Sequence, residues 1–340
     1  MLLNQYLYIR GILILIALSI NLTCAGLHAF DLSNAVDVGL ENDPEYLSAK
    51  QGLVASREKL EQGRAPLRPS ISGSLNNTQN YSSTGSNTNT STYALTISQV
   101  IFNHKLNAVQ KQSILTVKEA ESNFENIKQN IFLKITSAYF DILIAQDDLK
   151  TVIAEKKAVA EQLEFAKRNF EVGTSTITDQ QEAQARFDLI RATEIKSKNE
   201  LAIKRTNLEK ILLTPLPDQL NGIKKTIYVE KPKLSDPKEW MKIARDKNYS
   251  IKAAKARLEI ARIELKKPQS YLIPSISAAA SLNKVDSNSI ITNTGSETLS
   301  LNFSFPLYEG GLYKSEIREA MANLNKARHS LDLALLDSDR

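Results

Sequence analysis

The chain has 340 residues, 42% hydrophobic and 24% charged, with 12 Gly, three His, one Cys and a formal net charge of +5; its mean hydropathy is −0.27. That hydropathy excludes a bundle of membrane-spanning helices, and so few His and Cys exclude a Cys/His zinc site and a disulfide framework. The 43 Lys and Arg are interleaved with 38 Asp and Glu, which does not give the one-sided basic face that nucleic acid requires.

Residues 1–25 read as an export signal. Arg10 precedes an apolar run, Gly11 to Ile20, that is too short to span ~30 Å of hydrocarbon but has the length and charge placement of a signal-peptide core. Thr23 and Ala25 set small residues for cleavage after Ala25, with Ala29 the second choice. A lipoprotein signal ending at Cys24 is the alternative, which Asn21 and Leu22 fit poorly. Cleavage after Ala25 removes the sole cysteine, which suits a protein working outside the cytoplasm.

The remainder contains one unit twice. Ala49-Lys50 lies over Ala254-Lys255, and without gaps Leu53, Arg57, Leu60, Leu67 and Pro69-Ser-Ile-Ser72 meet Leu258, Arg262, Leu265, Leu272 and Pro274-Ser-Ile-Ser277. Upstream, Glu41-Asn-Asp-Pro44 corresponds to Asp246-Lys-Asn-Tyr249. Each unit opens with an amphipathic helix, expected from about Leu32 to Gly63 and from about Pro237 to Lys267. Low Gly with plentiful Ala, Gln, Glu, Lys and Leu suits such long helices.

A Pro-containing break then leads into paired strands, expected at about Ser70–Asn77 and Tyr93–Ile101, and again at about Ser275–Asn283 and Thr298–Phe305. Leu299, Leu301, Phe303 and Phe305 alternate with Ser300, Asn302 and Ser304, and Tyr93, Leu95 and Ile97 alternate with Ala94, Thr96 and Ser98. Such period-two patterning sets one face in an apolar medium and the other in water. A half-buried hairpin on a soluble core is one reading. The long polar stretch from Thr78 to Thr92 favours the other, an outer-membrane barrel with long external loops.

From Asn103 to about Val172 there is neither Pro nor Gly, which implies a helix on the order of 100 Å long. Its apolar stripe, from Val117 through Ile131, Ile135 and Ile142 to Val152, recurs about every 3.5 residues, the period of a left-handed coiled coil. Gly173 supplies a left-handed stop, and Thr178 with Gln181 is expected to form a capping box for the returning helix. That helix runs to about Leu213, where Pro215 and Pro217 end it. The cluster Lys224, Lys225, Lys231, Lys233 and Lys238 reads as a solvated connector, its first four residues falling in a linker over residues 214–236.

Bond-making chemistry is not expected. No nucleophile–base arrangement is visible, His104 reads as interfacial or solvated, and neither His28 nor His329 is expected to have a ligand partner one turn away. Gly310-Gly311 lacks the basic residue of a phosphate loop, and Asp147-Asp148 lies on a hydrophilic helix face. No cofactor, metal or catalytic residue is assigned, and the protein is expected not to be an enzyme.

These features together resemble the TolC family of outer-membrane efflux and type I secretion channels. The resembling residues are Ala65-Pro-Leu-Arg-Pro69, Ser137-Ala-Tyr-Phe-Asp-Ile-Leu143, Arg168-Asn-Phe-Glu-Val-Gly173, Ile177-Thr-Asp179, Ala183-Gln-Ala-Arg-Phe-Asp188 and Phe303-Ser-Phe-Pro-Leu-Tyr-Glu-Gly-Gly311. The resemblance implies a mixed α+β membrane protein. Long coiled-coil hairpins and four β-strands per protomer would contribute to a trimeric outer-membrane β-barrel and a periplasmic α-barrel, which removes open sheet edges. It divides the chain into a signal peptide (1–25), a first repeat (26–213, with β-hairpin 68–103 and helical hairpin 104–213), the linker, and a second repeat (237–340, with β-hairpin 272–306 and the start of a long helix).

By the same resemblance Val172, Gly173 and Thr174 form the periplasmic tip where an adaptor (membrane-fusion) protein docks. The family often has Leu where Thr174 stands. Leu299, Leu301, Phe303 and Phe305 are the expected lipid-facing strand residues. The implied partners are two further copies in a homotrimer, the adaptor, an inner-membrane transporter of ABC or RND type, and outer-membrane lipid, with no nucleic acid. The expected location is the outer membrane, extending into the periplasm. The second unit lacks the family's second helical hairpin, which carries its acidic constriction residues, so no gate residue is transferred. The function expected is a passive conduit for small molecules or proteins. The alternative is an exported coiled-coil scaffold, or a nonfunctional shortened remnant of such a channel.

Overall fold

The computed structural model describes residues 30–81, 83, 87–218, 220–222, 236–288 and 294–339. The export signal, most of the linker, and Lys224, Lys225, Lys231 and Lys233 lie outside the described residues. In chain order the elements are α1 (Leu32–Asn42), α2 (Pro44–Arg64), β1 (Ser70–Asn80), β2 (Thr88–Phe102), α3 (His104–Glu171), α4 (Ile177–Leu212), α5 (Pro237–Lys247), α6 (Tyr249–Gln269), β3 (Ser275–Ser287), β4 (Thr294–Ser304) and α7 (Leu312–Ser338). Short 3₁₀ turns, Ala65–Leu67 and Ser270–Leu272, precede β1 and β3. The chain forms two compact units, one from Met1–Asp43 with Asn130–Val229 and one from Pro44–Gln129 with Glu230–Arg340.

Each opening helix, expected to be continuous, is two helices. Asp43 and Asn248 both leave the helical region, at φ −63°, ψ 120° and φ −60°, ψ 126°. Pro44 disfavours the α region for the residue before it. At the second break the Asn248 side chain instead accepts from the Ser250 and Ile251 amides, 2.8 and 3.4 Å, and caps α6. Both break residues donate their own amide back to the ending helix, to Gly39 O and Ala244 O, each at 2.8 Å.

In the first unit the stripe expected on α3 is the core. Ile131, Ile135 and Ile142 are almost fully buried, and Leu208 and Leu212 of α4 join them. Tyr139, which the stripe omits, is also buried. Its hydroxyl lies 2.7 Å from Asn221 O and 3.2 Å from Phe30 O, tying the start of the described chain to the segment after α4. Burial, followed by the nearby Asp31 carboxylate, raises the Tyr139 pKa. In the second unit α7 lies against α6, whose buried residues are mostly small: Ala253, Ala254 and Ala256 beside Ile251 and Leu258. Arg257 Nε donates to Glu119 Oε1 at 2.5 Å, and Arg245 pairs with Asp339.

The four strands form one antiparallel sheet in the order β1-β2-β3-β4, two hairpins side by side with the helices α3 to α6 between them in sequence. All four reach further toward the connecting loops than their apolar alternation indicates. Asn80 pairs with Thr88, so most of the polar stretch read as a long loop is strand. Thr suits a pleated backbone, and a strand end that is polar on both faces leaves no alternation to detect.

Candidate functional site

Residues directly opposite one another in an antiparallel sheet share a face, so the register sorts the side chains. One row runs Ile71, Ile97, Ala280, Leu299; the next runs Gly73, Leu95, Leu282, Glu297; the third runs Leu75, Tyr93, Lys284, Gly295. In the other direction the rows are Gln99, Ala278, Leu301 and Phe102, Ile276, Phe303. The last depends on a bulge: the register shifts between Val100 and Phe102, setting Phe102 instead of Ile101 opposite Ile276. These rows collect the large apolar residues on one face, and they are uncovered: Leu299 is 85% and Phe303 67% exposed. An apolar patch of this extent marks an interaction surface.

The opposite face carries Ser, Thr and Asn with a few small apolar residues. Its rows are Ser70, Ser98, Ala279, Ser300; Ser72, Thr96, Ser281, Thr298; and Ser74, Ala94, Asn283, Ser296. Hydroxyls meet across it, Ser70 with Ser98 at 2.7 Å and Thr90 with Ser287 at 3.2 Å. Leu299, Leu301 and Phe303 therefore share the apolar face of β4, while Phe305 lies one residue past the end of that strand and is half exposed. The outer edges of β1 and β4 have no strand partner among the described residues.

Val172, Gly173 and Thr174 form the turn between α3 and α4. Gly173 takes φ +77°. Its amide donates to Phe170 O at 3.0 Å and the Thr174 amide to Asn169 O at 2.8 Å, the two-bond Schellman closure that uses up the last carbonyls of α3. Val172 is 72% exposed. The capping box that follows is not the expected one. Thr176, not Thr178, caps α4: its hydroxyl accepts from the Asp179 amide at 3.2 Å, and the Asp179 carboxylate accepts from the Thr176 amide at 2.9 Å. Asp179 fills the role assigned to Gln181, and an acidic group in the first turn also suits the helix dipole. Ser175 Oγ donates to the same carboxylate at 2.8 Å, and these bonds, led by the Thr176 amide, hold the Asp179 pKa low. The tip is thus a locked turn with an exposed apolar residue on it.

One feature of the hairpin escaped the sequence reading. Glu194, almost wholly buried, accepts from Lys156 Nζ of the facing helix at 2.6 Å and from Lys198 Nζ at 2.7 Å. The hydrogen bond from Lys156, then that from Lys198, brings its carboxyl down to about 2. The pairing with Lys198 has helical spacing and could have been found; that with Lys156 needs the hairpin.

His329 corrects another expectation: Asp332, one turn away, lies 3.7 Å from its Nδ1, and both are well exposed. Among the described residues no group of three or more His, Cys, Asp or Glu could hold a metal ion. No described helix is long and apolar enough to cross a membrane.

A sheet with one apolar and one hydroxyl-bearing face, joined to a long helical hairpin, is the architecture of an outer-membrane channel protomer. A family model described as Outer membrane efflux protein matches residues 36–212. The alkaline protease secretion protein AprF of Pseudomonas aeruginosa is 26% identical over 319 residues, covering 89% of this chain and 66% of that protein. The outer membrane protein TolC of Escherichia coli is 26% identical over 344 residues, covering 94% of this chain and 68% of that protein. A crystal structure of CusC has a similar fold, with a TM-score of 0.79 at 16% identity, covering 92% of this chain and 75% of that one. The chain belongs to the outer membrane efflux protein family, a family of transport channels and not of enzymes. It spans about two thirds of the length of the curated relatives it matches.

Proposed function

We propose that the protein is the outer-membrane channel component of a tripartite efflux or type I secretion system, a passive conduit for small molecules or proteins without enzymatic chemistry. The observation that carries this is the register, which gathers the large apolar side chains of four strands onto one exposed face and hydroxyls onto the other. Such a sheet needs lipid on one side and water on the other. The membership of an efflux family and the likeness to a protease secretion protein support it.

In this reading the chain comprises two repeats, 26–213 and 237–340, behind a signal peptide. Leu299, Leu301, Phe303 and Phe305 meet outer-membrane lipid, and the free edges of β1 and β4 pair with two further copies to close a barrel, because an open edge has no backbone partners in hydrocarbon. Val172, Gly173 and Thr174 receive a periplasmic adaptor, and an inner-membrane transporter of ABC or RND type supplies the energy.

The test compares Leu301→Lys with Ser300→Lys in fractionated membranes. A lysine facing lipid costs ~2–4 kcal/mol near mid-bilayer in each copy, whereas one facing water costs little. Leu301→Lys is expected to vanish from the outer-membrane fraction while Ser300→Lys stays. Equal behaviour, with both proteins soluble in the periplasm, would leave an exported scaffold as the function.

A further inference from the structure

We propose that the hydroxyl-bearing face of the sheet is a charge-neutral wall, so that the barrel section of the conduit does not select its cargo by sign of charge and passes cationic and anionic solutes or polypeptide segments alike. This rests on the channel reading above and specifies what that channel accepts.

Two observations carry it. In a chain that is 24% charged, the whole of the first hairpin from Ser70 to Phe102 contains no Asp, Glu, Lys, Arg or His. The second hairpin's described strands contain Lys284, Asp286 and Glu297, and the register sets all three on the other, apolar face: Lys284 opposite Tyr93, Glu297 opposite Leu282 and Asp286 opposite Ser91. Lys284 and Asp286 moreover neutralise each other, with Nζ 3.3 Å from Oδ2. These charges lie in the half of the strands nearer the loops: Glu297 shares its row with Leu95 and Leu282, Lys284 shares its row with Leu75 and Tyr93, and Asp286 lies one row further out, so none of the three projects from the hydroxyl face.

The physical consequence follows from how narrow aqueous bores select. Rings of fixed charge produce ion selectivity, and their field fades over a Debye length of ~8 Å at physiological ionic strength. Charges on the helices therefore do not dictate the potential at mid-strand. A hydroxyl donates to an anion and accepts from a cation with the same side chain, so a wall of Ser and Thr solvates both signs. With no carboxylate or ammonium on that face, closing three copies into a barrel multiplies hydroxyls and adds no charge ring.

The experiment measures the local potential directly. Cys24 is the only cysteine; with it replaced by Ser, a single reporter is introduced as Ser281→Cys on the hydroxyl face or Leu282→Cys on the apolar face. Full-length protein in outer-membrane vesicles is treated with a cationic and an anionic methanethiosulfonate of similar size. The ratio of their rates is normalised to that of 2-mercaptoethanol. A neutral wall gives a normalised ratio at Ser281→Cys within about twofold of one, and a charged lumen shifts it by about tenfold or more. Thr96→Asp, directly opposite Ser281, provides the calibration by shifting the ratio toward the cationic reagent. A tenfold preference for either reagent without that substitution overturns the neutral wall while leaving the channel intact. If both reagents reach Leu282→Cys and neither reaches Ser281→Cys, the face assignment and the channel reading fail together.

Discussion

Two glycines on α2 provide a contrast whose sign depends on packing alone. A Cβ built on Gly52 meets nothing within 4 Å, whereas one built on Gly63 lies 2.5 Å from Ser113 Oγ and 2.8 Å from Ser113 Cβ, well inside the ~3.5–4.0 Å of ordinary carbon contacts. Rotating the hydroxyl relieves the first contact but not the second, because Cβ moves only with the α3 backbone. Ser113 is 7% exposed and its hydroxyl donates to Gln110 O at 2.8 Å. Ala in place of Gly favours a helix by ~0.5–1 kcal/mol, and overpacking costs ~1–3 kcal/mol. Gly52→Ala should therefore stabilise by about 0.5–1 kcal/mol and Gly63→Ala destabilise by about 1–2 kcal/mol. Thermal melts of the detergent-solubilised protein, followed by far-UV circular dichroism, would separate the two by several degrees, since ~1 kcal/mol moves a domain of this size by ~2–4 °C. Adding Ser113→Gly to Gly63→Ala removes both clashing atoms, and the double variant should be more stable than the sum of the single changes by about 1 kcal/mol. If Gly63→Ala melts with or above Gly52→Ala, α2 is not seated on α3 in this way.

The Glu194 cluster predicts an acid limb. A carboxyl whose folded pKa, about 2, lies below its ordinary 4.5 stabilises the fold above the upper value, and that stabilisation is lost as pH falls through the lower one. Urea unfolding of wild type should weaken progressively across that window, and Glu194→Gln should flatten the dependence; an unchanged slope would dismiss the cluster. At the tip, Gly173→Ala forces a Cβ into the left-handed region at ~1–2 kcal/mol, and Asn, which tolerates that region, should cost less. Hydrogen exchange at the Gly173 and Thr174 amides should be fastest in the Ala variant, and equal rates in all three proteins would show that the Schellman closure does not hold the turn.

What the sequence determined by itself is what local periodicity can encode. The alternation around Leu301 and the 3.5-residue stripe through Ile131, Ile135 and Ile142 each declare an apolar face, because side-chain direction repeats along a strand or helix whatever lies beside it. Gly173 declares a stop for the same local reason, its φ of +77° being cheap only for glycine. The helix breaks were half legible: Pro44 announces the first, but Asn248 acts through a cap that no proline marks. The capping residue was misplaced by two positions because Thr176 and Thr178 offer the same hydroxyl, and only the bonds to Asp179 choose between them. Tertiary structure alone decided that four strands turn their apolar sets to one side, that a bulge at Ile101 brings Phe102 into line, and that Lys156 meets Glu194. Each of these joins residues far apart in the chain, and the free energy of such a meeting exists only once the intervening chain has folded back to close it.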